Sequence, residues 1–224
     1  MSGPTLTELS NKWHVLEVRY IRQDAFIIRI ERHGFAFIPG QHVTLGLDRA
    51  GINREYSIYS GKDDDYLEFL VKIHPGSDSA ETLAASKPGD AVALGGPYGV
   101  FHLPQPMEQD RPVWFFAGGV GIAPFRSIVR STPNLKYNVV HGVREAADAY
   151  DRDEYTSAVK HVVCTSRAAD GDFHGRVTDW LKLNRVPPES LAFICGPAAM
   201  VADTYECLRS QGISSDHLLT EVFF

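Results

Sequence analysis

The chain has 224 residues, 44% of them hydrophobic, and a formal net charge of −6 at neutral pH. That length is long for one core and comfortable for two, and the acidic balance excludes nucleic acid or an anionic membrane surface as a bulk partner. Three scattered cysteines, Cys164, Cys195 and Cys207, exclude a disulfide framework or a four-thiolate iron–sulfur cluster and point to a reducing compartment. Residues 1–13 lack the apolar core of a signal peptide. The longest apolar run, Val113 to Phe125, is broken by glycines and a proline and is too short to span a bilayer. The expectation is a cytoplasmic protein, monomeric, without membrane or nucleic-acid partners.

From Trp13 to about Leu103 the pattern is that of strands. Phe26, Ile28 and Ile30 alternate along one segment, and Leu67, Phe69, Val71 and Ile73 along another. Pro39-Gly40-Gln41 and Lys87-Pro88-Gly89-Asp90 read as turns, with strands at His42–Leu45 and Ala91–Leu94. Short strands punctuated by turns predict a closed barrel over residues 1–103, with one helix near Ser79 to Ser86. Residues 104–110, polar and carrying two prolines, read as a linker.

After the linker the period changes. Val113 to Ala117 is a continuous apolar strand, Gly118 to Gly121 a tight turn, and Ile122, Phe125, Ile128 and Val129 recur at helical spacing. Further apolar strands are predicted at Tyr137–Val143, His161–Ser166 and Leu191–Cys195. Helices are predicted near Tyr150–Val159, Arg176–Leu183 and Ala198–Gln211. Strands alternating with helices predict a doubly wound parallel sheet over residues 111–224.

Chemistry concentrates at a few places. In Arg54-Glu55-Tyr56-Ser57, an extended strand puts Arg54 and Tyr56 on one side. The guanidinium can fork onto a phosphate, the ring can cover a flat heterocycle such as a flavin, and Ser57 can hydrogen-bond a ring nitrogen. An ordinary barrel strand with a surface arginine has the same spelling. The Gly119-Val120-Gly121 turn, with Pro124 in the first helical turn, suits a pyrophosphate held on free amides, although proline stands where the Rossmann fingerprint has its third small residue. Arg144, Ser166, Arg167 and Arg176 fall at strand ends. Together they suit a ribose 2′-phosphate, with Glu145 as a mixed signal. Cys195 ends a strand where ligands collect in open α/β sheets, and a buried core cysteine would look the same. The nine histidines show no paired ligand spacing, so no metal site is expected, and His141 and His161 read as structural.

These motifs, in this order, resemble the ferredoxin–NADP reductase family over nearly the whole chain. The resemblance implies an antiparallel six-stranded FAD-binding barrel followed by an NADP-binding domain. It implies an enzyme passing electrons between NADPH and ferredoxin or flavodoxin, with hydride transfer at flavin N5. Tyr56 would pack on the isoalloxazine and Ser57 would bond near N5. Val71, Lys72, Ser79, Ala80, Thr82, Phe223 and Phe224 would complete the FAD site. Gly119, Val120, Gly121, Arg144, Ser166, Arg167, Arg176 and Cys195 would hold NADP. Ser57, Cys195 and Glu221 are the implied catalytic groups, and Pro39-Gly40-Gln41 and Gly96-Pro97-Tyr98-Gly99 match supporting turns. Ala80 departs from the family's serine or threonine at the FAD pyrophosphate, leaving Ser79, Thr82 or helix-end amides to serve. Phe223 replaces a tyrosine. Arg22, Arg32 and Arg49 are candidates for a basic patch facing an acidic carrier. Two other readings share these motifs. One is an NADH-dependent reductase component of an oxygenase, or a free-flavin reductase. The other is a flavin-binding subunit or sensor without turnover.

Overall fold

The computed structural model describes residues 13–47, 53–74, 76–108 and 110–223. The chain divides into two compact units, residues 1–100 and 101–224.

The first unit holds β1 (Trp13–Arg22), β2 (Ala25–Glu31), β3 (His42–Leu47), β4 (Arg54–Ser57), β5 (Tyr66–Lys72), α1 (Asp78–Ala84) and β6 (Ala91–Tyr98). The strands pair antiparallel in the order β4-β3-β6-β1-β2-β5. The two edges then meet. The Tyr59 amide, just past β4, donates to the Glu68 carbonyl of β5 at 2.8 Å, and the Glu68 amide donates to Ser60 Oγ at 3.1 Å. Closure removes the exposed edges of an open sheet. The alternation seen in the sequence is what fills the interior, because Phe26 lies opposite Val71, Ile28 opposite Phe69 and Ile30 opposite Leu67. On the other face Arg29 pairs with the buried carboxylate of Glu68, Nη2 to Oε1 at 2.8 Å, and stacks on Tyr66.

The second unit holds β7 (Val113–Gly118), α2 (Ala123–Ser131), β8 (Tyr137–Val143), β9 (Lys160–Thr165), β10 (Phe173–His174), α3 (Val177–Leu183), β11 (Leu191–Pro197), α4 (Ala198–Ser210) and β12 (Leu218–Phe223). All six strands run parallel in the order β10-β9-β8-β7-β11-β12. The sequence order reverses between β7 and β11, which makes their carboxyl ends the topological switch point. Phe115, Phe125, Tyr137 and Phe193 stack in its core, and Phe101 packs on Phe125 and Phe193.

One predicted helix is absent. Residues 150–159 form a 3-10 turn at Arg152–Tyr155 in place of a helix. Asp151 takes a left-handed φ of 48°, which breaks helical continuity. The buried guanidinium of Arg126 draws this segment in, with Nη2 at 3.0 Å from Glu154 and Nε at 3.5 Å from Asp151, while Tyr155 is sunk in the interior. Tertiary contacts outweigh local propensity here.

Phe69→Ala should destabilise the first unit by about 3–5 kcal/mol through lost burial and a residual cavity. Urea unfolding followed by fluorescence and circular dichroism checks this.

Candidate functional site

In the first unit the Arg54–Ser57 motif forms β4. Arg54 is exposed, Tyr56 half-buried and Ser57 buried. Backbone pairing fixes them, Tyr56 opposite Val43 and Ser57 opposite His42. Burial pushes the Tyr56 phenol up, so it stays protonated and presents an uncharged ring. The two supporting turns are joined by one side chain. Gln41 accepts from the Ile38 amide through Oε1 at 2.8 Å and donates from Nε2 to the Gly99 carbonyl at 3.1 Å.

The three candidates on α1 part ways. Ala80 points into the barrel core, so its side chain belongs to the packing whatever ligand is bound. Thr82 Oγ1 donates to the Asp78 carbonyl one turn back. Ser79 is buried, and its Oγ makes no hydrogen bond of good geometry among the described residues, while its nearness to the Tyr56 hydroxyl works to lower that phenol against the effect of burial. A buried hydroxyl without a partner is costly in the free protein and fits a site completed by a ligand. Beside Arg54 and Tyr56, the donor set fits a flavin with a phosphate-bearing tail. The other two flavin candidates are occupied otherwise. Val71 is in the barrel core, and Lys72 Nζ pairs with Asp24 at 2.7 Å. Arg32, expected in a basic patch, donates to the carbonyls of Phe35, Lys62 and Asp64 and lies over Phe37. Arg49 and Phe224 lie outside the described residues.

In the second unit the glycine turn lies at the switch point, and its glycines serve two purposes. A Cβ on Gly121 would come within 2.2 Å of the Cys195 carbonyl oxygen, so this glycine lets the β7 turn pack on the β11 turn. Gly119 has a φ of 55° and open space where a Cβ would stand, so it is the position a ligand can approach. Its carbonyl is fixed from below. His141, 1% exposed in β8, donates from Nε2 to Gly119 O at 2.8 Å. Burial pushes this imidazole down to about 4, so it is neutral at physiological pH. The sequence reading set His141 aside as structural. A histidine between the apolar residues Val139, Val140 and Val143 of β8 was the available signal, since a buried polar group must find a partner.

The arginines fall at neighbouring strand ends. The Ser166 amide bonds the Val143 carbonyl at 3.0 Å, and the Arg167 amide bonds the Arg144 carbonyl at 3.0 Å. Arg176 follows β10, whose His174 pairs with Thr165 at the end of β9. Arg144, Arg167 and Arg176 are all exposed, and none makes an ion pair among the described residues.

Cys195 and Glu221 are brought together by β11–β12 pairing, and Cys195 Sγ lies 4.0 Å from Glu221 Oε2. The thiol is fully buried, and burial followed by the Glu221 charge pushes it well above its ordinary range. It is a neutral thiol, not a thiolate nucleophile. Phe223 stands opposite Pro197 on the same pair of strands.

His141→Phe should weaken binding of any nicotinamide nucleotide several-fold, whereas His141→Gln, which keeps a donor, should retain it; equilibrium titration of the nucleotide checks both. With its folded pKa below its unfolded one, His141 contributes stability above pH 6.5 that is lost as pH falls toward 4, up to about 3 kcal/mol. Acid unfolding of His141→Gln should lack that share.

Residues 16–103 match the oxidoreductase FAD-binding domain family and residues 115–206 the oxidoreductase NAD-binding domain family. The reductase subunit of an aromatic O-demethylase from Amycolatopsis is 32% identical over 229 residues, covering 93% of this chain and 68% of that protein. The ferredoxin–NAD(P)(+) reductase component of the naphthalene 1,2-dioxygenase system of Pseudomonas putida is 30% identical over 207 residues, covering 85% of this chain and 61% of that one. The chain thus spans about two thirds of the length of the relatives it matches. Among solved structures, a ferredoxin NADP+ reductase from Neisseria gonorrhoeae with bound FAD and NADP superposes with a TM-score of 0.83 at 25% identity, over 95% of this chain and 98% of that one. With both domain matches in the order the fold displays, the chain belongs to the ferredoxin reductase family of FAD- and NAD(P)-binding oxidoreductases.

Proposed function

We propose that the chain is an NADPH-dependent flavoprotein reductase supplying electrons to a small one-electron carrier of the ferredoxin or flavodoxin kind. The observation that carries the NADPH part is the grouping of Arg144, Ser166, Arg167 and Arg176 at adjacent strand ends, with the three guanidiniums free of ion pairs among the described residues. Guanidinium forks match phosphate geometry, and a 2′-phosphate is what distinguishes NADPH from NADH.

When bound, a flavin takes a hydride from reduced nicotinamide and releases electrons singly. The protein's own groups have the following parts. Arg54 would hold a phosphate, Tyr56 would offer a flat uncharged face, and Ser57 would hydrogen-bond a ring nitrogen. Ser79, whose buried oxygen lacks a well-formed hydrogen bond among the described residues, would take the FAD pyrophosphate in place of a residue at Ala80. The amides of residues 119–121 receive the nicotinamide nucleotide's pyrophosphate, on a turn held by His141. Cys195, kept protonated, acts as a compact neutral surface within reach of Glu221, and Glu221 would carry a hydrogen-bond chain or a proton. Phe223 supplies a ring for stacking.

A second reading has specific support. The Amycolatopsis and Pseudomonas relatives are reductase parts of oxygen-using systems, which favours a reductase component that feeds an oxygenase.

Purified protein should be yellow and should bleach anaerobically with NADPH faster than with NADH. Failure to bleach with either points to a passive flavin subunit. A preference for NADH together with fast transfer to an oxygenase partner selects the second reading. Arg167→Ala should lower the kcat/KM ratio of NADPH over NADH by about tenfold. Ser79→Ala should weaken FAD retention by about tenfold, as loss of a hydrogen bond to a charged group implies, while Thr82→Ala leaves it unchanged. Equilibrium dialysis of FAD reads both.

A further inference from the structure

The loop after β9 carries Ser166 and Arg167, and the loop after β8 carries Arg144. Their backbones are stitched together at the strand ends. Besides the two bonds already described, Ser166 Oγ donates to the Val143 carbonyl at 3.2 Å and the Ala168 amide to the Arg144 carbonyl at 3.3 Å. Beyond this point the strands have ended and sheet pairing cannot continue, yet the stitching does. The carboxylate of Asp170 accepts the Ala146 amide with both oxygens at 3.1 Å, at the first residue of the 3-10 turn Ala146–Asp148. From the other side His174 Nδ1 donates to the Ala168 carbonyl at 3.1 Å, and the Gly171 amide donates to Thr165 Oγ1 at 3.3 Å.

We propose that Asp170 is a specificity-positioning residue, a carboxylate clasp that locks the Arg144 loop to the Ser166–Arg167 loop so that the 2′-phosphate site exists before the nucleotide arrives. The inference rests on the 2′-phosphate reading above and deepens it. Two loops that had to be ordered by the ligand would subtract that ordering cost from its affinity, and preformed loops do not. A charged acceptor on a backbone amide is among the stronger single hydrogen bonds available for this purpose. The location also makes the sign of the effect diagnostic. Asp170 is a negative charge in a loop assigned to bind an anion, so by Coulomb's law alone its removal should tighten anion binding. A clasp predicts the opposite.

The test uses the full chain and two probes, 2′-phospho-AMP and AMP, with dissociation constants from calorimetry. Asp170→Ala should weaken 2′-phospho-AMP by about five- to tenfold and leave AMP within about twofold, the scale of one lost hydrogen bond to a charged group. Asp170→Asn, which keeps an acceptor oxygen and loses the charge, should stay within about threefold of the parent protein for both probes. Tighter or unchanged binding of 2′-phospho-AMP in Asp170→Ala overturns the clasp. So does an equal loss for both probes, which would mark general loop damage. Arg167→Ala separates the two levels. If it erases the preference for 2′-phospho-AMP while Asp170→Ala leaves that preference unchanged, the phosphate reading stands and the clasp falls. If Arg167→Ala leaves the preference intact, the phosphate reading fails and the clasp goes with it.

Discussion

The glycine turn at the switch point of the second unit depends on one close approach. At the carboxyl ends of β7 and β11, Gly121 lies so near the Cys195 carbonyl that a Cβ would sit 2.2 Å from its oxygen. In an open parallel sheet the strand order reverses here, helices leave to opposite faces, and a crevice opens between the two turns. The turns still have to touch at their base, or the strands would splay. Glycine at residue 121 permits that contact, and the neighbouring Gly119, in open space, is left to present its backbone. The motif's small residues are therefore divided between packing at Gly121 and an open backbone at Gly119.

Buried polar groups then pin the geometry that packing alone leaves loose. His141 turns a left-handed glycine into a fixed position by holding its carbonyl, and its burial keeps it neutral and a donor through Nε2. Arg126, buried in α2, anchors the Asp151–Glu154 segment. In the barrel, Glu68 lies buried against Arg29 while its backbone closes the sheet through Tyr59 and Ser60. Removing one partner of such a pair leaves an uncompensated buried group, which costs more than the pair itself contributes. These residues therefore act as locators more than as sources of stability.

Much of this was legible beforehand, for reasons of periodicity. Leu67, Phe69 and Val71 alternate because successive side chains of a strand take opposite faces and these three fill the barrel interior. Gly118 to Pro124 sits between a continuous apolar strand and a helical repeat because a parallel strand buried on both faces leads into a crossover helix. Arg54, Tyr56 and Ser57 keep their spacing because an extended strand fixes which side each takes. The helix predicted over residues 150–159 failed because its conformation is imposed by Arg126, which lies 28 residues before Glu154.

The sequence by itself determined the two-domain order, the strand period of each half and the family, and it supplied the candidate site residues, since these depend on local spacing and on motifs that are contiguous in the chain. Only the tertiary structure decided that Ser79 is buried beside Tyr56 while Thr82 bonds the Asp78 carbonyl, that Cys195 is a neutral thiol beside Glu221, that His141 holds the Gly119 carbonyl, and that Asp170 reaches the loop of Arg144. Each of those facts is a hydrogen bond made, missing or desolvated between groups brought together by strand register, and register is set by packing over the whole sheet.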